Sequence, residues 1–449
     1  MPRDAITQSD TPYRILMVSD FFHPNTGGVE THIYQLAQCL IARGHTVIVL
    51  THSYGPSFQG THHLANGLKV HYIPRVSMYQ QAILPTIFGT FAPLHRILLS
   101  EQITLVHAHQ AFSTMAHEAV LHARTMGYRV VFTDHSLFGF ADPASILVNK
   151  LLKFMLADVH STICVSHTSK ENTVLRACIP PQRVYVIPNA VESSLFLPAT
   201  PSPEGGNTTT KTIRIIAMSR LVYRKGIDLL AAVLPELCAR HSGKSTTTNR
   251  IEFLIGGDGP KHTLLQETIE REGLTEQVKL VGMVPHDKVR DLLVQGDIFL
   301  NCSLTEAFCV SLVEAAAAGL LVVSTRVGGV PEVLPPDMII LADPSVHGVI
   351  EAVEQGIQAI RSRHRHRHRH STETFSAQKQ HERVTSMYSW QSVAQRTERV
   401  YREVLEMERD DSMTARLCRY VRCGKWFGKI CCCVAAVDWM YWKWLELWS

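Results

Sequence analysis

From Tyr13 onward, short continuous apolar runs alternate with helix-length stretches, and after one break the alternation starts again. Residues 14–22, 45–50, 68–73, 105–108, 129–133, 161–165 and 184–187 each predict a strand. Their hydrophobicity is continuous instead of alternating, as required where helices cover both faces of a sheet. Strands separated by helices in this order predict a doubly wound parallel sheet. The first helix is expected over 29–43, stopped by Gly44.

Residues 197–211 (LPATPSPEGGNTTTK) read as an interdomain linker. Beyond it, 212–218, 251–255, 278–281, 297–301, 320–324 and 338–341 repeat the strand pattern. The expectation is therefore two Rossmann-like α/β domains, 13–196 and 212–387, facing a cleft at the carboxyl ends of their strands. A helix over 388–407 follows. Two polar inserts, 243–250 and the arginine–histidine tract 361–370, are expected as solvated loops; alternate arginines in the second would repel a metal cation.

Composition narrows the function classes. The net charge of +4 over 449 residues is too small and too dispersed for nucleic-acid binding. Eleven cysteines show neither metal-ligand spacing nor a secreted disulfide framework, which points to reduced thiols on the cytosolic side. The amino-terminal MPRDAITQSDTPYR has no apolar core, so no cleavable signal is expected.

Several segments have the residue types that sugar-nucleotide chemistry needs. In EAFCVSLVE, Glu306 and Glu314 are spaced so that both carboxylates can accept hydrogen bonds from sugar hydroxyls, or can equally form a solvated helix face. In SRLVYRKG, Arg220 offers a planar fork and Lys225 a point charge for a diphosphate; a plain surface loop is the alternative. GGDGP around Gly257 is a tight turn that permits close backbone approach, either with direct contact to a ligand or without it, and is not a dinucleotide fingerprint. PNTGG, with Gly27 and Gly28, leads into a helix whose free N–H groups favour phosphate, or simply turns the chain. His107 and His109 end one strand and Asp134 and His135 another, placed either to donate to a ligand oxygen or to serve the core.

Together these segments resemble family 4 glycosyltransferases, which have the two-domain GT-B fold. The paired glutamates match that family's spacing, SRLVYRKG its diphosphate clamp and PNTGGVETH its first glycine loop. FTDHSLFGFAD, SLTEAFCVSLVEAAAAGL and VVSTRVGGVPEVLP are similar, more narrowly, to the members that glycosylate phosphatidylinositol, along about 13–405. The resemblance implies retaining transfer of N-acetylglucosamine from UDP-GlcNAc to phosphatidylinositol, the first step of GPI-anchor synthesis. It implies a catalytic subunit within a multi-subunit complex on the cytosolic face of the endoplasmic reticulum membrane, with no cofactor and no divalent metal. Carried onto this sequence, Arg220 and Lys225 bind the diphosphate, Glu314 the ribose and Glu306 the transferred sugar. His135 assists near the anomeric carbon, Gly257 lies in the donor loop, and Gly27, Gly28 and Glu30 form the phosphate or acceptor loop. His109 and Asp134 are further cleft candidates, and the 388–407 helix braces the first domain. A family 4 enzyme with another donor or lipid, or a non-catalytic scaffold, is the alternative.

The carboxyl-terminal segment 416–449 departs from the family's hydrophobic span. Lys429, Asp438, Lys443 and Glu446 interrupt it, and one mid-span aspartate costs about 2.5–3.5 kcal/mol. At ~100° per residue all four charges fall on one half of a helix and Trp426, Ile430, Val437 and Trp444 on the other. An interfacial helix is expected in preference to a span packed on a partner, with Arg416, Arg419, Arg422 and Lys425 against the anionic leaflet. The apolar stretch 79–99 is expected either to touch lipid or to enter the core.

Overall fold

The computed structural model describes residues 12–79, 81–139, 143–199, 212–241, 250–367 and 377–447. Most of the linker, nearly all of the 243–250 insert, the end of the arginine–histidine tract and Trp448 lie outside the described residues. The chain divides into two compact units, Met1–Asn189 with Trp390–Ser449, and Ala190–Ser389.

The first unit runs β1 (Arg14–Val18), α1 (Gly28–Ala42), β2 (Thr46–His52), β3 (Gly60–His63), β4 (Lys69–Ile73), β5 (Ser77–Tyr79), β6 (Ala82–Ile83), α2 (Phe91–Ser100), β7 (Leu105–His109) and α3 (Thr114–Thr125). It continues through β8 (Arg129–Asp134), α4 (Pro143–Asp158), β9 (Ser161–Cys164), α5 (His167–Ala177) and β10 (Val184–Val186). The eight-stranded sheet has the order β10-β9-β8-β7-β1-β2-β4-β3. All pairings are parallel except β3 with β4. The chain moves outward from β1 through β2 and β4, then returns to β7 and moves the other way. That reversal between β1 and β7 opens a crevice at their carboxyl ends, where ligands of such sheets bind. One face of the sheet (Leu16, Val18, Ile48, Leu50, Val106, Phe132) packs on α3 through Met115, Ala116, Ala119 and Val120. In the stretch expected to meet lipid or core, the sequence splits: Phe91, Leu94 and Leu98 of α2 are buried, while Leu84 and Ile87 before it are exposed.

The second unit runs β11 (Ile213–Met218), α6 (Ile227–Arg240), β12 (Ile251–Gly256), α7 (His262–Arg271), β13 (Val278–Gly282), α8 (Val289–Leu293), β14 (Ile298–Asn301) and α9 (Val310–Ala317). It ends with β15 (Leu321–Thr325), β16 (Ile339–Ala342), α10 (Val346–Arg367) and α11 (Ala377–Met387). The first part of the arginine–histidine tract, 361–367, is the end of α10 and not the expected loop, since arginine is a good helix former that carries on a helix already begun. Its six strands, in the order β13-β12-β11-β14-β15-β16, are all parallel, and here the reversal falls between β11 and β14. The division precedes the expected linker because residues 190–199 hold to this unit. Arg290 Nε donates to the Leu197 carbonyl at 2.7 Å, and the Phe196 ring lies 6.1 Å from that of His286.

The chain then returns to the first unit as α12 (Trp390–Glu406), α13 (Met413–Val421) and α14 (Phe427–Glu446). α12 buries a stripe of Trp390, Val393, Ala394, Thr397, Val400, Tyr401 and Val404 at helical spacing. It lies on α1 and β8, where Tyr401 Oη meets His107 Nδ1 at 2.6 Å and Glu398 pairs with Arg43. α14 packs on α3, and α13 on α4.

This packing corrects the expected distribution of charge in the carboxyl-terminal segment. Asp438 does not join the solvated half of α14: it is fully buried, with Oδ1 2.7 Å from Nδ1 of the fully buried His122. α3 has no solvated side of its own, so α14 covers it, and a polar residue of α3 needs a polar partner there. Arg416 and Arg419 likewise turn inward to Asp158, while Arg422 and Lys425 are exposed. The exposed side of α14 shows Trp426, Ile430, Val437 and Trp444. Among the described residues, no helix is long and apolar enough to cross a membrane.

Candidate active site

In the second unit the switch point gathers SRLVYRKG, which follows β11, and the loop carrying Glu306, which follows β14. Gly226 makes this approach possible. It sits at φ +67°, and a Cβ there would stand 1.8 Å from the Cys302 carbonyl oxygen. Leu304 N–H donates to the Arg224 carbonyl at 2.9 Å, which closes the two loops on each other. Lys225 Nζ pairs with Glu306 Oε1, and Ser303 Oγ donates to the same oxygen at 2.7 Å. Burial opposes the Lys225 ammonium, but Glu306 outweighs it, and the pKa lies above the ordinary lysine value. Lys225 is therefore held charged. Arg220 is exposed beside it, and its guanidinium makes no ion pair or hydrogen bond among the described residues.

Glu314, 13% exposed, lies on α9 with His286 Nε2 at 3.6 Å. That contact raises the His286 pKa against the opposing effect of its partial burial. Sequence reasoning missed His286, whose segment after β13 carries no recognisable pattern. Gly257, at φ +127°, permits an approach of backbone to backbone: a Cβ would lie 1.9 Å from the Ser219 carbonyl oxygen. Its part is to seat the β12 turn against SRLVYRKG.

In the first unit the strand ends bring histidines together. His32, His109 and His135 place one ring nitrogen each within 4.8 Å of one another. His32 comes from the second turn of α1, where helical periodicity marks it only as buried; its Nδ1 meets Asn189 Oδ1 at 2.8 Å. Burial pushes His32 down to about 4, and His109 and His135 well below the ordinary histidine value, so all three rings are neutral. His109 Nε2 is buried without a partner among the described residues. His107 belongs to the core, held between Tyr401 and Thr133. Asp134 is also turned inward, which corrects its place among cleft candidates: it is fully buried and accepts from Ser136 N–H at 2.9 Å, Thr173 Oγ1 at 2.9 Å and Arg176 Nη1 at 3.3 Å.

Gly27 and Gly28 are exposed at the amino end of α1. The Glu30 carboxylate folds over Gly27, where a Cβ would meet Oε2 at 2.5 Å, so the positive end of α1 already faces an anion. Asp20, after β1, accepts from the N–H groups of Ile83 (3.1 Å), Thr114 (2.9 Å) and Met115 (3.1 Å). Burial outweighs these bonds and raises Asp20 to about 7. It fastens β6 and the start of α3 to the floor of this switch point.

Two family descriptions match the chain: "PIGA (GPI anchor biosynthesis)" over residues 52–142 and "Glycosyl transferases group 1" over 202–371. The chain is 50% identical over 434 residues to a phosphatidylinositol N-acetylglucosaminyltransferase subunit of Arabidopsis thaliana, covering 97% of this chain and 91% of that protein. Against the Homo sapiens protein of the same name it is 48% identical over 442 residues, 98% of this chain and 86% of the other. Among solved structures, sucrose-phosphate synthase from Thermosynechococcus elongatus gives a TM-score of 0.68 at 18% identity, over 87% of this chain and 99% of that one. A glycosyltransferase from Rickettsia africae gives 0.67 at 19% identity, over 88% and 100%. These structures establish the GT-B fold. With relatives this similar over nearly their whole length, the chain belongs to the PIGA family of phosphatidylinositol N-acetylglucosaminyltransferase subunits, which are glycosyltransferases.

Proposed function

We propose that this chain transfers N-acetylglucosamine from UDP-GlcNAc to phosphatidylinositol with retention of configuration, the first step of GPI-anchor synthesis. The observation that carries the reading is the charged pair Lys225–Glu306 at the second unit's switch point, with the Arg220 guanidinium open beside it. Arg220 and Lys225 take the diphosphate, Glu314 the ribose hydroxyls and Glu306 the transferred sugar. The inositol hydroxyl attacks on the face from which UDP leaves, and the departing phosphate oxygen takes its proton. Negative charge grows on that phosphate in the transition state, and two fixed cations stabilise it where it appears. The neutral rings of His135 and His109 hydrogen-bond sugar or acceptor oxygens without adding charge near a carbon that becomes electron-poor.

No step in this scheme needs a cofactor or a divalent metal. In the same reading the chain works with other subunits of a transferase complex, as its relatives' names as subunits support. The complex is at the endoplasmic reticulum membrane with both units cytosolic, and the exposed tryptophans of α14 lie in the lipid interface.

The test is transfer of labelled N-acetylglucosamine from UDP-GlcNAc to phosphatidylinositol by the solubilised complex, with and without EDTA. The expected product is an α-linked lipid, cleaved by an α-N-acetylglucosaminidase and formed equally with the chelator. A β-linked product contradicts retention, and loss with EDTA contradicts metal independence.

A further inference from the structure

Six arginines converge where β8, β9 and β10 begin, at the edge of the first sheet opposite the histidines. Two carboxylates answer them. Asp158, at the end of α4, accepts from Arg416 Nε at 2.7 Å, Arg419 Nε at 2.9 Å and Tyr420 Oη at 3.0 Å. Asp411 accepts from Arg129 Nη1 at 3.1 Å, His160 Nε2 at 3.3 Å and Arg124. Arg409 donates to the Val159 carbonyl at 2.8 Å and reaches the carboxylates only at longer range, Asp158 at 3.5 Å and Asp411 at 3.8 Å. Arg183 donates through Nε to the His160 carbonyl at 3.0 Å; among the described residues its two outer nitrogens have no partner.

The charge does not balance. Six guanidiniums against two carboxylates leave four positive charges, in a place where the Arg124 and Arg416 side chains are 0% and 2% exposed. Asp410 offsets one from outside, with its carboxylate exposed and accepting from Ser412 N–H at 2.9 Å. The crowding shows at Arg409, which burial, Arg183 and Arg419 push down to about 9. A guanidinium ordinarily never gives up its proton, so this position calls for a counter-charge.

We propose that the open side of this cluster, formed by Arg183, Arg409 and Arg419, binds a phosphate-class dianion, either free phosphate or the headgroup phosphate of a lipid. The Arg183 fork suits it, since its two outer nitrogens present paired N–H donors to phosphate oxygens, while Arg409 and Arg419, whose nitrogens already meet Val159, Asp158, Asp410 and Asp411, add positive charge beside it. The site lies in the first unit, apart from Arg220 and Lys225. Arg419 is on α13 and Arg409 just before it, so the anion ties the α13–α14 hairpin to the sheet and makes its seating depend on phosphate.

The test uses the full chain in its solubilised complex, with hydrogen exchange of 410–425 followed as phosphate replaces chloride at constant ionic strength. The expected result is a saturable gain in protection of roughly fivefold or more, lost in Arg183→Gln and partly kept in Arg183→Lys. Binding to phosphatidylcholine vesicles with and without phosphatidic acid separates the sources. If the lipid supplies the group, phosphatidic acid increases binding, free phosphate competes, and Arg183→Gln abolishes the increase. If free phosphate is the ligand, protection appears and the two vesicles bind equally. No difference between phosphate and chloride, or an unchanged response in Arg183→Gln, overturns the proposal. So does loss of a partner protein in Arg183→Gln without any phosphate effect, which would make the cluster a protein contact.

Discussion

Replacing Asp438 with alanine separates the buried α14 found here from a helix with all its charges in water. His122 Nδ1 has Asp438 Oδ1 as its partner at 2.7 Å, and His122 Nε2 and Asp438 Oδ2 are already unpartnered among the described residues. The histidine ring is closed in by Phe91, 4.8 Å away. Asp438→Ala therefore strands a buried polar nitrogen, at a cost of about 2 kcal/mol. The loss falls on the docking of α14 over α3, so local opening of α14 rises roughly 30-fold at that energy. Hydrogen exchange of the α14 amides reads it directly, with Lys443→Ala as an exposed control. The double substitution His122→Leu/Asp438→Leu removes both polar partners and recovers most of the protection, because neither is left unsatisfied. Unchanged exchange in Asp438→Ala, or a double variant whose losses simply add, would refute the packing argument.

Three further outcomes follow from the donor-side geometry. Gly226→Ala puts a Cβ 1.8 Å from the Cys302 carbonyl, so thermal unfolding of the second unit should show a loss of about 2–3 kcal/mol; an unchanged melting curve contradicts the close approach. Glu306→Gln leaves burial unopposed at Lys225, so the alkaline limb of the pH–rate profile moves to lower pH and the rate falls about 10²-fold; an unmoved limb contradicts their coupling. His286 has a raised pKa, so its contact with Glu314 stabilises fully below the ordinary value of 6.5 and loses that effect as pH rises through the raised one. Stability of the second unit measured across that window should lose this slope in His286→Asn, and a slope that persists assigns it elsewhere.

Both sheets were legible because their strands are short apolar runs that only a helix-covered sheet can bury. β3 was not, since Gly-Thr-His-His at an exposed edge has no apolar signal and pairs antiparallel with β4. Around the site, Lys225 and Glu306 announced themselves by motif, and the fold brings them into contact. His32 and His286 did not, because each acquires its neighbours only when distant segments meet: Asn189 for one, Glu314 for the other. The carboxyl-terminal helix shows the same limit. Periodicity sorts its residues onto two halves, yet it cannot say which side a protein surface covers. The partner that draws Asp438 inward lies 316 positions earlier in the chain.

The most direct test of the account compares the intact chain with Glu314→Ala in the assembled complex, measuring transfer of labelled N-acetylglucosamine to phosphatidylinositol beside binding of UDP-GlcNAc. Product is expected from the intact chain, and from a correctly assembled Glu314→Ala complex both weaker donor binding and a loss of transfer of about 10²-fold or more. Equal transfer by the two chains would contradict the placement of the donor site in the second unit.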